Sequence, residues 1–113
     1  MDDESILNTI KKMLGLADDY DAFDIDVVVD INAAMLTLKQ LGVGPDDGYS
    51  ITGPDEVWTD IPEVKASSLN AVKQYIYLKT RMLFDPPTTS PHIDAMKATI
   101  SELEWRLTLE AEK

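Results

Sequence analysis

Apolar residues recur at intervals of three and four along most of this chain, and this spacing constrains the fold more than any other feature of the sequence. It is the period of an α-helix that buries one face, whereas a half-buried strand alternates every second residue. The spacing predicts helices over residues of about 3–14, 24–41, 63–84 and 91–110, joined by a loop-rich connection over 42–62. We therefore expect an all-α fold, a small bundle of four main helices in a single domain covering residues 1–113.

The predicted helix ends carry residues that start or stop helices. The expected N-caps are Asp3 or Ser5 for the first helix, Asp24 for the second and Ser90 for the last. The third helix has apolar residues over about half of its circumference, which predicts a central helix with several neighbours. In the long connection, Tyr49–Thr52 is expected to form an extended piece and Pro54–Trp58 a helical turn. A connection of this length is usually functional or mobile.

The net charge of the chain is −11, and it is unevenly distributed. Residues 1–60 contain 14 acidic residues and three lysines, whereas residues 61–113 contain seven acidic and seven basic residues. Charge of this sign disfavours wrapping nucleic acid or docking on anionic lipid. The lack of cysteine excludes disulfides and zinc–thiolate sites. The chain has no apolar run long enough for a membrane span, and its acidic start is unlike a signal peptide, so we expect neither membrane insertion nor export.

The sequence contains no recognisable constellation of residues that catalysis would need. The single histidine, His92, has no nucleophile in a known motif beside it, and Gly42–Pro45 lacks the lysine of a phosphate-binding loop. An acidic segment over residues 18–30 lacks the ligand alternation and the glycine of a calcium loop. We interpret it as a solvated loop that enters a helix N-terminus. We therefore expect no catalytic residue, no cofactor and no resident metal ion.

Some large apolar residues lie away from the main helical stripes. Trp58 lies in the long connection beside Val57, and Trp105 and Leu109 lie on the opposite face of the last helix from its apolar stripe. One interpretation is that they pack on the flank of the same bundle. The other is that they anchor a partner, since tryptophan is enriched among the residues that dominate interface energies. The sequence leaves both interpretations open.

Short blocks of residues over nearly the whole chain, roughly Ser5 to Glu110, carry a resemblance to a known family. The blocks are Ser5-Ile6-Leu7, Ile10-Lys11-Lys12-Met13-Leu14-Gly15, Phe23-Asp24, Ile31-Asn32, Leu41-Gly42-Val43-Gly44-Pro45, Tyr77-Leu78-Lys79, Leu83-Phe84-Asp85-Pro86-Pro87 and Glu104-Trp105-Arg106-Leu107. In this order the chain resembles the small head–tail connector proteins, also called adaptor or head-completion proteins, of long-tailed bacteriophages and prophages. The blocks are structural landmarks, not catalytic signatures.

The resemblance implies a virion protein that performs no chemistry. Such a subunit forms a homo-oligomeric, dodecameric ring between the portal protein and the next neck or tail component, a stopper or tail-completion protein. The ring completes the head and extends a channel through which the genome DNA passes without sequence-specific binding. The implied location is the neck of the virion, at the head–tail interface, and the host cytoplasm during assembly.

Two expectations about residues follow from that resemblance. Contacts with neighbouring chains are expected at Val57, Trp58, Trp105, Arg106 and Leu109. The acidic segment is expected to face the channel or its rim and to repel DNA there, through Asp18, Asp19, Asp21, Asp24, Asp26 and Asp30. The sequence leaves two other classes open. One is a free-standing acidic helical interaction module, such as a regulator or a DNA-mimic inhibitor, and the other is a small hydrolase that uses the aspartates with a metal ion.

Overall fold

The computed structural model describes residues 4–112, and within that range it contains four α-helices and no β-strand. The helices are α1 (Ile6–Leu14), α2 (Asp24–Gln40), α3 (Leu69–Phe84) and α4 (Ser90–Ala111). Two single-turn 3-10 helices, Trp58–Asp60 and Ala66–Ser68, lie between α2 and α3. The predicted all-α class with four main helices is confirmed.

Helix α3 lies at the centre of the fold and packs against each of the other three helices. Its buried side chains are not confined to a narrow stripe, because different neighbours cover different sides of it. They are Leu69, Val72, Tyr75, Ile76, Leu78 and Thr80. The prediction of a central third helix is confirmed.

The ends of α1 follow the sequence signals, whereas the starts of α2 and α4 do not. The Ser5 hydroxyl accepts a hydrogen bond from the Asn8 backbone N–H at 3.2 Å, and so caps α1. Asp3, the alternative cap, lies outside the described residues. The N-cap predictions for Asp24 and Ser90 are wrong, because each is the first residue of its helix and the preceding residue occupies the cap position.

Helix α3 starts at Leu69, later than the predicted start near residue 63. The physical reason is the backbone of Glu63, whose φ of 61° lies in the left-handed region. A right-handed helix cannot run through that conformation. The chain turns there and enters α3 through the 3-10 turn Ala66–Ser68.

The connection between α2 and α3 is anchored in the core, by side chains and by hydrogen bonds. Ile51, Trp58 and Ile61 are buried among the helices. The Asn32 side chain on α2 clamps the backbone of Ile51: its Oδ1 accepts from the Ile51 N–H at 2.8 Å, and its Nδ2 donates to the Ile51 carbonyl at 2.9 Å. Tyr49–Thr52 is therefore held by a side chain and forms no strand, and the predicted helical turn lies later, at Trp58–Asp60.

A turn centred on a carboxylate also orders the middle of the connection. The Glu56 carboxylate accepts hydrogen bonds from the Thr52 N–H and hydroxyl, each at 2.9 Å, and from the Gly53 N–H at 3.3 Å. Burial alone would raise the pKa of Glu56, but these hydrogen bonds outweigh it and hold that pKa below its usual value. Next to this turn, the Glu56 carbonyl accepts from the Ile6 N–H at 3.0 Å, which fixes the connection against the start of α1.

Candidate interaction surfaces

The α4 outer face, which we define by Trp105 and Leu109, is open to solvent. Trp105 is 64% exposed and Leu109 is 41% exposed. The neighbouring Arg106 guanidinium contacts the Glu102 carboxylate at 2.9 Å, in a pair whose side chains are also largely exposed. Within the described domain these apolar side chains are not packed on the flank of the bundle. They therefore remain available to a partner.

The inner side of α4 explains why Trp105 points away from the core. Leu103 and Leu107 are buried against the bundle. Between them, the Glu104 carboxylate accepts a hydrogen bond from the Tyr75 hydroxyl of α3 at 2.6 Å. Burial and this carboxylate raise the pKa of the Tyr75 phenol, so it stays a neutral donor. With these three residues turned inward, the helical period carries Trp105 to the outside.

The burial of Trp58 argues against one of the expected contacts with a neighbouring chain. Its side chain is only 1% exposed, its indole Nε1 donates to the Thr9 hydroxyl at 3.1 Å, and the Lys73 ammonium lies 5.4 Å from its ring centroid. A buried indole whose N–H has found an acceptor serves the fold of its own domain. Val57 beside it is half-buried and forms an isolated bridge with Ser5. Trp58 is therefore not exposed for contact with a neighbouring chain.

The acidic segment divides into exposed and internally used carboxylates. Those of Asp18, Asp19, Asp21 and Asp26 are on exposed residues. The Asp24 carboxylate instead lies 2.8 Å from the Lys11 ammonium, whose side chain is 1% exposed. The same ammonium donates to the Asp18 carbonyl at 3.0 Å. Asp24 thus neutralises a buried lysine of α1.

Asp30 lies half-buried on α2, one turn after Asp26. Partial burial raises the pKa of Asp30, and the negative charge of Asp26 raises it further. Like charges four residues apart on a helix repel each other. Placing further negative charge beside these two carboxylates would therefore cost free energy.

Sequence reasoning missed a second apolar surface, on the side of α2 that faces away from the core. We define the α2 outer face by Ile25, Val29 and Leu36, which are 81%, 60% and 55% exposed. Their spacings of four and seven place them along one side of the helix. The opposite side buries Val27, Ile31, Ala34, Met35 and Leu38. The available signal was that α2 is apolar on both sides, although a surface helix needs only one apolar stripe.

A chain of aromatic rings joins the acidic segment to the end of α3. The Tyr20 and Phe23 rings meet edge-on with centroids 5.8 Å apart, and Phe23 meets Phe84 in the same way at 5.4 Å. Edge-on contacts of this kind stabilise beyond the apolar area that they bury. They hold the turn before α2 against the fold, and so fix where the exposed aspartates stand.

The described residues offer no cluster of candidate metal ligands. Within residues 4–112, no group of three or more His, Asp or Glu side chains is placed to hold a metal ion. The Nδ1 atom of His92 lies 2.9 Å from the Thr89 hydroxyl, beside the start of α4. What the surface offers is apolar helix faces bordered by charge, which suits contacts between proteins.

Comparison with models of protein families bears on the classes that the sequence left open. Residues 6–113 match the model described as phage connector protein, which is nearly the whole of the 113-residue chain. The chain belongs to the phage connector protein family. The resemblance drawn from the sequence blocks is thereby confirmed. Comparisons with curated proteins and with solved structures found no match.

Membership gives this connector protein a structural role at the junction between the phage head and tail. It associates with other head or tail proteins at that place in the virion. Among the helices of residues 4–112, none combines the length and apolarity of a membrane span. The α2 and α4 outer faces are candidates for such associations, because each exposes apolar side chains.

Proposed function

We propose that the chain forms a homo-oligomeric ring, a dodecamer, between the portal protein and a stopper or tail-completion protein. The ring completes the head and extends the channel through which DNA leaves. The observation that carries this proposal is the pair of exposed apolar helix faces on a chain of the phage connector family. Subunits of a ring need surfaces for their neighbours that a monomeric protein would keep polar.

Within this function, the α4 outer face together with Arg106 contacts a neighbouring chain. Trp105 is a large, rigid apolar side chain that the domain leaves uncovered, which is the type of residue that dominates interface energies. Arginine is enriched in interfaces because its planar guanidinium group presents several hydrogen-bond donors. Arg106 places such a group beside Trp105. Val57 remains a half-buried candidate at the edge of the connection, whereas Trp58 supports the fold alone.

The exposed aspartates of the acidic segment, Asp18, Asp19, Asp21 and Asp26, line the channel or its rim in this proposal. A negatively charged lining repels the phosphate backbone, so that the duplex passes without adhering. Changing these four residues to Asn is expected to leave ring assembly intact and to slow DNA release from filled heads. Unchanged release from heads that carry the quadruple variant would place the segment away from the DNA path.

The experiment for the function uses DNA-filled heads of the encoding phage that lack this protein. The purified chain is added, and its co-sedimentation with heads and the nuclease-resistant DNA are measured. We expect binding to heads that carry a portal, no binding to heads without one, and retention of DNA after binding. Equal binding to both kinds of head, or none to either, would contradict the proposal. A free-standing acidic module would bind to neither kind of head.

A further inference from the structure

Helix α4 carries apolar residues on two opposite sides. We define its inner stripe as the buried and half-buried apolar residues, which are Ile93, Met96, Ile100, Leu103 and Leu107. The opposite side carries the α4 outer face and, earlier in the helix, the exposed Ala95 and Ala98. Among the helices, α4 packs chiefly on α3. Apolar burial is non-directional, so contact with one neighbouring helix constrains the rotation of α4 about its own axis only loosely.

A hydrogen bond, which does have a defined direction, joins α4 to the buried centre of the fold. Tyr75 of α3 is 0% exposed, and its hydroxyl donates to the Glu104 carboxylate of α4 at 2.6 Å. The Thr37 side chain of α2 also hydrogen-bonds this hydroxyl. Hydrogen bonds weaken steeply when their angle changes, and a buried hydroxyl that loses a partner is costly. Rotation of α4 is therefore opposed at this point.

We propose that the Tyr75–Glu104 hydrogen bond fixes the rotation of α4 about its own axis and so holds the α4 outer face towards solvent. A buried polar contact can specify one packing arrangement among several that apolar contacts would allow, as a single polar residue does in coiled coils. Tyr75 and Glu104 are positioning residues in this inference, because they act through α4. The inference concerns the isolated subunit, and only its consequence for assembly rests on the proposed function.

The two tryptophans make the rotation of α4 measurable without labels. Trp105 is 64% exposed and Trp58 is 1% exposed, so a quencher dissolved in the solvent reaches mainly Trp105. Neutral acrylamide is used, because the net charge of −11 would repel an anionic quencher. Trp105 lies almost opposite the inner stripe, so rotation of α4 in either sense brings its indole nearer to α3.

The decisive variant combines Tyr75→Phe with Glu104→Leu. It removes both polar partners together, which costs far less stability than leaving one of them unpaired. We expect the helical circular dichroism and the midpoint of urea unfolding to stay close to those of the natural chain. The quenchable fraction of the tryptophan fluorescence should nevertheless fall, and the emission should shift to shorter wavelength. A pair that only stabilises the fold would leave both fluorescence properties unchanged.

Two further variants serve as rescue and as matched control. Glu104→Gln keeps an oxygen that accepts from the Tyr75 hydroxyl, so quenching should equal that of the natural chain. Tyr77→Phe removes the other phenol of α3, which accepts from Arg81 of the same helix at 3.2 Å. It should leave quenching unchanged, because that hydrogen bond does not involve α4.

A distance measurement checks the same rotation independently. The natural chain has no cysteine, so spin labels can be attached at Asn70→Cys on α3 and Lys97→Cys on α4, both exposed positions. Double electron–electron resonance should give one narrow distance distribution for the natural background and for Glu104→Gln. In the decisive variant it should broaden or gain a population displaced by up to about 10 Å, the diameter of a helix.

Natural quenching together with a single narrow distribution in the decisive variant would overturn the inference. Loss of its helical signal would also contradict it, because the pair would then be needed for folding and not for orientation.

These results are separable from those for the proposed function, because they come from the isolated subunit. A variant with a reoriented α4 that still builds complete rings on portals would keep the inference and remove the α4 outer face from the assembly. An unchanged α4 orientation in the decisive variant, with a natural chain that binds portals, would remove the inference and keep the function.

Discussion

The two tryptophans of the chain show how differently its two halves use apolar surface. Trp58, in the connection between α2 and α3, is 1% exposed, whereas Trp105, on α4, is 64% exposed. In the sequence, neither tryptophan falls on a main helical stripe, so both were candidates for contact with a partner. The connection turns back over α1 and buries its ring, but α4 already covers the core with its other side. The difference separates residues that stabilise the subunit from residues that are left for assembly.

The largest effect on the free energy of unfolding is expected when the Trp58 side chain is removed. Trp58→Ala should lower the free energy of unfolding by about 3–5 kcal/mol, because it leaves a cavity among the helices and removes the hydrogen bond to Thr9. Trp105→Ala should change it by less than about 0.5 kcal/mol, as is usual for an exposed residue. Urea unfolding followed by circular dichroism measures both. Similar losses of unfolding free energy in the two variants would show that Trp105 also stabilises the subunit, contrary to this assignment.

The next largest effect concerns the buried lysine of α1. Asp24→Asn should lower the free energy of unfolding by about 3 kcal/mol, because it leaves the Lys11 ammonium buried without its counter-charge. Lys11→Met removes the charge itself, and its cost should stay below about 1 kcal/mol. Asp21→Asn, at an exposed aspartate, is the matched control and should be nearly neutral. If Asp24→Asn behaves like Asp21→Asn in thermal melting, Asp24 belongs with the exposed aspartates.

A smaller effect is expected where α2 holds the connection. Asn32→Ala should lower the free energy of unfolding by about 1–3 kcal/mol, since both backbone groups of Ile51 lose their partner. Asn70→Ala, at an exposed asparagine of α3, is the control and should have little effect. Hydrogen exchange locates the change: the Ile51 amide should lose its protection. Retained protection at Ile51 would show that the connection is held by its apolar residues alone.

The smallest effect concerns Asp30, beside the α2 outer face. Its pKa is raised in the folded chain by burial and by Asp26, so ionising it costs more in the folded than in the unfolded chain. Asp30→Asn should therefore raise the free energy of unfolding at neutral pH, by less than about 0.5 kcal/mol. The gain should fade as the pH drops through the raised pKa of Asp30 and vanish where the carboxyl is protonated in both states. A loss of stability at neutral pH would contradict this assignment.

The helices could be predicted from the sequence, because the three-and-four spacing directly reports which residues share a helix face. The anchoring of the connection could not, because it depends on Asn32 meeting the backbone of Ile51, a contact between residues 19 positions apart. The α2 outer face was missed because the stripe through Val27, Ile31 and Leu38 already accounted for the helical spacing, and the apolar residues on the other side of the helix received no separate prediction. Lys11 was overlooked although it lies on the same helical face as Leu7 and Leu14, where a lysine needs a partner.

Electron microscopy of purified portals mixed with the chain tests the central claim most directly. With the natural chain, we predict a ring of additional density on one end of the portal, with the cyclic symmetry of repeated copies. With Trp105→Ala, which should remain folded, the ring should be lost or incomplete. Portals without added density, or an unchanged ring built from Trp105→Ala, would contradict the account.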